Sequence, residues 1–191
     1  MRKTAFLLLL WLGHAIWVNA QEKPKVLIAY FSQSGSTATL AESIAQGANS
    51  VEGVEVWVKS IDQVTTHEIL ESSAIILGSP VYNANPAPQV LEFINSWPFE
   101  NQPLRDKLGA VFVTGGGISI GEEEVMFSLM RSMLIHGMIL VGGETVEAAF
   151  GASAITGEGP FSKEEMDRLF LEKGHGLGKR VAEWTIKTKG T

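Results

Sequence analysis

An apolar run that ends in a hydroxyl-rich loop and opens at once into an amphipathic stretch limits the possible architectures of this chain more than any other feature. Residues 26–31 read as a buried strand and residues 38–48 as a helix, and between them stand Ser32, Gln33, Ser34, Gly35, Ser36 and Thr37. A strand that delivers such a loop to a helix N-terminus presents unpaired backbone N–H groups and the positive end of the helix dipole, which together favour an anion. The loop holds no Lys or Arg, so the anion is expected to rest on dipoles and hydroxyls, with Gly35 in a left-handed turn. The fingerprints G-x-x-x-x-G-K-[ST] and G-x-G-x-x-G are both missing, which leaves a monophosphate site. The plainer alternative is a turn with Ser36 or Thr37 as an N-cap.

The first twenty residues are set apart. Arg2 and Lys3 precede an apolar run over 5–12, and Val18-Asn19-Ala20 supplies small residues for cleavage, so residues 1–20 read as a secretory signal peptide and 21–191 as one folded domain. An uncleaved anchor is the alternative. The expected location is outside the cytoplasm, in the periplasm. Loss of Arg2 and Lys3 adds two negative units to the formal charge of −6, and so acidic a domain has no electrostatic footprint for nucleic acid. Cysteine is absent from the sequence, which removes disulfides, thiolate catalysis and iron–sulfur ligation. Redox chemistry would need a bound cofactor.

Beyond the leader, strands and helices alternate. Strands are expected at 26–31, 54–59, 74–79, 110–114 and 138–141, and helices at 38–48, 65–72, 87–95, 122–136 and 162–187. Gly174, Gly176 and Gly178 weaken the last helix. Buried, non-alternating strands between helices imply an α/β fold, a doubly wound parallel sheet covered on both faces. Ligands in such sheets bind outside the strand carboxyl ends, at the switch point. That rule brings together Ser32 to Thr37, the segment Gly78-Ser-Pro-Val-Tyr-Asn, and Thr114-Gly-Gly-Gly-Ile-Ser.

At these three segments, and at Leu134-Ile-His-Gly-Met and Phe150-Gly-Ala-Ser, the chain resembles the flavodoxin-like FMN proteins. Within them it is most similar to the tryptophan-repressor-binding branch of NAD(P)H:quinone oxidoreductases and NADPH-dependent FMN reductases. The resemblance implies a five-stranded parallel sheet in the order 2-1-3-4-5 and FMN as the cofactor. Ser32, Gln33, Ser34, Gly35, Ser36 and Thr37 would hold its phosphate. Pro80, Val81, Tyr82 and Asn83 would flank the ring on one side, and Thr114, Gly115, Gly116, Gly117, Ile118 and Ser119 on the other. Bare glycine amides suit the flavin's pyrimidine edge, where they stabilise charge on the reduced ring.

The resemblance also implies that His136 lies close to the flavin, although a histidine at a helix C-terminus before Gly137 also reads as a dipole-complementing cap. Trp97 reads as a core anchor, and Glu122, Glu123 and Glu124 as solvated charges in a helix's first turn. The implied partners are an electron donor (NAD(P)H, a quinol or a redox protein) and a quinone-like or protein acceptor, in a possible homo-oligomer. Two departures bear on this. The connection 61–73 is short, and Ser34 stands where an aromatic is common, which weakens the case for tetramer assembly and nicotinamide stacking.

Two rival readings use the same residues. Gly117-Ile-Ser-Ile-Gly matches G-x-S-x-G, but a nucleophile elbow needs its serine directly after the strand with acid and histidine following, and here Gly115 and Gly116 intervene. The same fold and cofactor also serve an exported electron carrier without substrate turnover of its own, its acidic surface steering it toward basic partners.

Overall fold

The computed structural model describes residues 22–189, so the leader read at 1–20 lies outside the described residues. The elements follow in the order β1 (Lys25–Tyr30), α1 (Ser36–Asn49), β2 (Glu55–Ser60), α2 (Thr66–Glu71), β3 (Ala74–Tyr82), β4 (Asn85–Pro86), α3 (Pro88–Asn95), β5 (Leu108–Gly115), α4 (Glu122–Ile135), β6 (Ile139–Leu140), β7 (Ala152–Ile155) and α5 (Arg168–Lys189). The α/β flavodoxin-like architecture is present. Strands β2, β1, β3 and β5 run parallel, with Leu27 opposite Trp57 and Ile75, and Leu77 opposite Val111.

The expectation of five strands in the order 2-1-3-4-5 is corrected by a seven-stranded sheet ordered β2-β1-β3-β5-β6, with β4 paired to β3 and β7 to β5. Two local causes add the strands. Asn83 and Ala84 both take positive φ, 51° and 58°, the turn that folds β4 back on β3, with Tyr82 opposite Asn85. At the other edge, the strand expected at 138–141 leaves the sheet after Leu140 and returns as β7. Gly143 N–H donates to the Ala148 carbonyl at 2.7 Å, and a Cβ at Gly142 would lie 2.1 Å from the Ala149 oxygen. This tight detour brings β6 and β7 onto one edge of β5, at Leu108–Gly109 and at Phe112–Gly115 respectively.

Successive strand residues point to opposite faces, and both faces are buried. Leu27, Ile75, Leu77, Val111 and Val113 pack with α3 and α4 residues such as Val90, Ile94, Val125 and Leu129. Val26, Ile28, Ile76, Ala110 and Phe112 pack with Leu40 and Ile44 of α1 and Leu177 and Val181 of α5. Gly78 is glycine because Phe112 fills the place of its side chain, 2.1 Å from where a Cβ would stand.

The helix expected at 162–187 begins later, at Arg168. Ser162 Oγ accepts from Glu164 N–H at 3.0 Å in a turn, and Asp167 Oδ1 accepts from Leu169 N–H at 2.8 Å to start the helix. Two of its three glycines, Gly174 and Gly178, allow close packing on α1, while Gly176 faces Glu144. A Cβ on Gly178 would lie 1.8 Å from the Ile44 oxygen, and one on Gly47 of α1 1.9 Å from the His175 oxygen. At the far edge, α2 is held by a capping box between Thr65 and Glu68. The Lys59 ammonium and the Thr65 N–H keep the Glu68 carboxyl down at about 2.

Candidate functional site

β1, β3 and β5 end side by side, and the loops that follow them meet at the carboxyl edge of the sheet as the parallel-sheet rule requires. In the first loop Gly35 takes φ 95° and is itself the N-cap of α1, without a side-chain cap. The reading of Ser36 or Thr37 as an N-cap is thereby corrected. Ser32 Oγ shapes the turn instead, accepting from Gly35 N–H at 3.2 Å and from Ala38 N–H at 3.3 Å. A Cβ at Gly35 would meet nothing within 4 Å, so the approach to the first turn of α1 is open.

Thr37 is buried, and its Oγ1 lies 2.8 Å from Thr114 Oγ1 at the end of β5. The two hydroxyls tie the first and third loops together from beneath, so neither side chain flanks a ligand on the surface. A second tie crosses above them, where the Tyr82 hydroxyl donates to Gln33 Oε1. Ser79, fully buried, accepts from Ala87 N–H at 2.9 Å and donates to the Pro80 carbonyl at 2.8 Å. That pair of bonds sets the course of Pro80, Val81 and Tyr82. Asn83 stands in the exposed turn between β3 and β4. Ala84, next to it, touches the loop after β5, where a Cβ on Gly121 would lie 2.6 Å from the Ala84 Cβ.

The loop after β5 divides its predicted residues. Gly115 and Gly117 are buried, whereas Gly116, Ile118 and Ser119 are exposed. Ser119 takes φ 57°, but among the described residues no histidine is hydrogen-bonded to it. His136 lies at the far end of α4, and the His175 backbone packs against Gly47 near the lower end of α1. The hydrolase reading therefore lacks its base.

His136 does not join the site within this chain, and that expectation is corrected. Helix α4 starts at the loop and has 14 residues, so its C-terminus lies about 20 Å away at 1.5 Å per residue. There His136 is buried against Trp97 and Phe99, ring centroids 5.4 and 5.2 Å apart. Burial holds its pKa below the ordinary 6.5, outweighing the helix C-terminus. Trp97 is a core residue, as expected.

A fourth loop, after β7, was missed because β7 itself was not foreseen. Thr156 lies 3.5 Å from Ser36, hydroxyl to hydroxyl, and Thr156 N–H donates to the Gly115 carbonyl at 2.9 Å. Thr156 and Lys163 join Ser34, Gly35, Ser36 and Thr39 around a cleft of about 300 Å³. The cue lay in Ala154-Ile155-Thr156-Gly157, an apolar stretch ending in a hydroxyl and a glycine as in the first loop. Glu122 was also misjudged. It is buried, and its carboxylate accepts from Ile120 N–H at 3.1 Å.

The donor set suits a flavin monophosphate. Free N–H groups at an unobstructed helix start and the hydroxyls of Ser34, Ser36 and Thr156 match a phosphate, and the open face of Gly116 admits a flat ring edge to the backbone.

Comparison with known proteins agrees with this geometry. The family model described as NADPH-dependent FMN reductase matches residues 23–152. A flavodoxin from Aquifex aeolicus (strain VF5) is 29% identical over 170 residues, spanning 84% of this chain and 86% of its own. Among solved structures, a WrbA-like flavodoxin from Agrobacterium tumefaciens superposes with TM-score 0.71 at 22% identity, covering 87% of this chain and 99% of that one. Oxidised flavodoxin 2 from Bacillus cereus does so with TM-score 0.66 at 25% identity, covering 84% and 99%. The chain therefore belongs to the NADPH-dependent FMN reductase family, with FMN as its cofactor.

Proposed function

We propose that this protein is an FMN-dependent oxidoreductase of the NAD(P)H dehydrogenase (quinone) kind, with FMN seated across the three loops at the ends of β1, β3 and β5. The observation that carries the reading is the pair of cross-loop ties, Thr37 to Thr114 and Tyr82 to Gln33. They fix the open first turn of α1 and the bare Gly116 backbone relative to each other at the carboxyl edge of the sheet. The hydroxyls of Ser34, Ser36 and Thr156, with the amides of Ser34, Ser36 and Thr37 that Ser32 Oγ leaves free, take the phosphate. Pro80, Val81, Tyr82 and Asn83 line one side of the ring, and Gly116, Ile118 and Ser119 the other, with Gly115 and Gly117 buried beneath them. Bound FMN supplies the hydride and electron chemistry, and the protein supplies orientation and electrostatics.

A flat, apolar acceptor is favoured by the rim of the cleft. Ile118 and Ile120 are exposed large apolar residues on the loop that meets Ala84, a surface that suits the ring of a quinone. Reduction by NADPH followed in a stopped-flow instrument, with a soluble quinone as acceptor, tests this directly. Fast reduction and quinone turnover without a partner protein support the reductase; slow, unsaturable reduction with no quinone turnover contradicts it. A second reading, an exported electron carrier, draws on Ser34, exposed on the phosphate loop and offering no aromatic surface for a nicotinamide. The measured reduction course separates the two, since a carrier takes up electrons in two well-separated one-electron steps.

The leader read at residues 1–20 supports a location outside the cytoplasm, where NAD(P)H is scarce. The physiological donor is then a membrane quinol or a partner protein, even where NADPH reduces the flavin in the test tube.

A further inference from the structure

Of the three successive glycines after β5, only Gly116 faces open space. A Cβ there would meet nothing nearer than the Thr156 carbonyl oxygen at 4.0 Å, whereas at Gly115 it would lie 3.1 Å from Ile120 and at Gly117 2.5 Å from the Glu158 carboxylate. A ring edge thus has one glycine to approach, and at the next position a carboxylate occupies the place of a side chain. That carboxylate accepts from Ile118 N–H. The segment bearing it is bound back to the same loop through Thr156 N–H and the Gly115 carbonyl at 2.9 Å. On the other side of the loop, the buried Glu122 carboxylate takes Ile120 N–H. The cation of this region, Lys163, lays its stem over Gly157, and its charge acts on Glu164.

We propose that Glu158 is a positioning residue that clasps the ring-holding loop through the Ile118 amide and, as a negative charge held one residue beyond Gly116, lowers the reduction potential of bound FMN. The inference rests on the placement of FMN in the three-loop cleft. Electrons added to the ring meet that charge, and at the partly solvated rim such an interaction amounts to roughly a three- to tenfold preference against the reduced cofactor. A side chain at position 117 would push the carboxylate away from the Ile118 amide.

The test is a potentiometric titration of FMN-loaded wild type and Glu158→Gln, with the affinity for oxidised FMN measured alongside. The amide of Gln keeps an acceptor for Ile118 N–H and removes only the charge. Its two-electron midpoint is expected to rise by the equivalent of a three- to tenfold gain in relative affinity for reduced FMN, about 15 to 30 mV, while oxidised FMN binds within about threefold of wild type. Salt screens an exposed charge, so the wild-type midpoint should climb more steeply with ionic strength than that of the variant, a readout in the unaltered protein as well. Glu158→Ala, which loses clasp and charge together, should show the same rise and faster amide exchange over residues 116–120 in FMN-free protein. An unchanged midpoint in a Glu158→Gln protein that still binds FMN overturns the proposal and leaves the flavin site standing. Wild-type protein that takes up no FMN removes both.

Discussion

Single side chains divide the work at the cleft between touching the ligand and holding the loops that touch it. Ser36 belongs to the first group. Ser36→Ala removes one hydroxyl from the phosphate and should weaken FMN about tenfold, the size of one charge-assisted hydrogen bond, with riboflavin unchanged when both are titrated by fluorescence quenching. Thr37 belongs to the second. Thr37→Val leaves Thr114 Oγ1 buried without its partner, so the loss should appear mainly as stability, roughly 1 to 3 kcal/mol in urea unfolding. His136 is a residue of the core rather than of the site. Its pKa is depressed by burial, so the unfolded chain binds the proton more readily than the folded one. Its contribution is therefore fully present above pH 6.5 and is lost as pH falls through the depressed folded value. Unfolding curves at pH 5 and 7.5 should show that loss in wild type and a smaller one in His136→Phe.

Elements were legible where local signals acted alone. The buried strand, the hydroxyl loop and the first helix stand where residues 26–48 place them, because an apolar run and a glycine at the turn determine both ends. What was not legible depended on contacts between distant segments. The short apolar stretch Ala154-Ile155 before Thr156-Gly157 is a faint local cue to β7, but that the chain leaving β6 returns to the same edge is set by Gly142 and Gly143 packing on Ala148 and Ala149. Missing β7 meant missing Thr156, Lys163 and Glu158. Gly174, Gly176 and Gly178 read as weaknesses of a helix when seen along the chain, but at least Gly178 is required by the crossing of α1 and α5. Gly178→Ala and Gly47→Ala improve helix propensity by about 1 kcal/mol each, yet each forces a methyl group into a backbone carbonyl. Both should lower stability by more than about 2 kcal/mol, as thermal unfolding of the two variants would show.

At the scale of the whole molecule, the parallel sheet turns a sequence pattern into a site by ending three strands at one edge and binding their loops to each other before any ligand arrives. Export remains a separate proposal from the residues ahead of the described fold. It requires a mature N-terminus at Gln21, which N-terminal sequencing of protein recovered by cell fractionation would reveal; an intact Met1 on cytoplasmic protein would end it. The central claim is that FMN sits with its phosphate on the first turn of α1. Side-by-side titration of FMN and riboflavin into the cofactor-free protein tests that claim most directly. Two or more phosphate contacts predict FMN binding at least about a hundredfold tighter than riboflavin, with the gap narrowed by Ser36→Ala. Equal affinity for the two flavins, or a gap that Ser36→Ala leaves untouched, would contradict it.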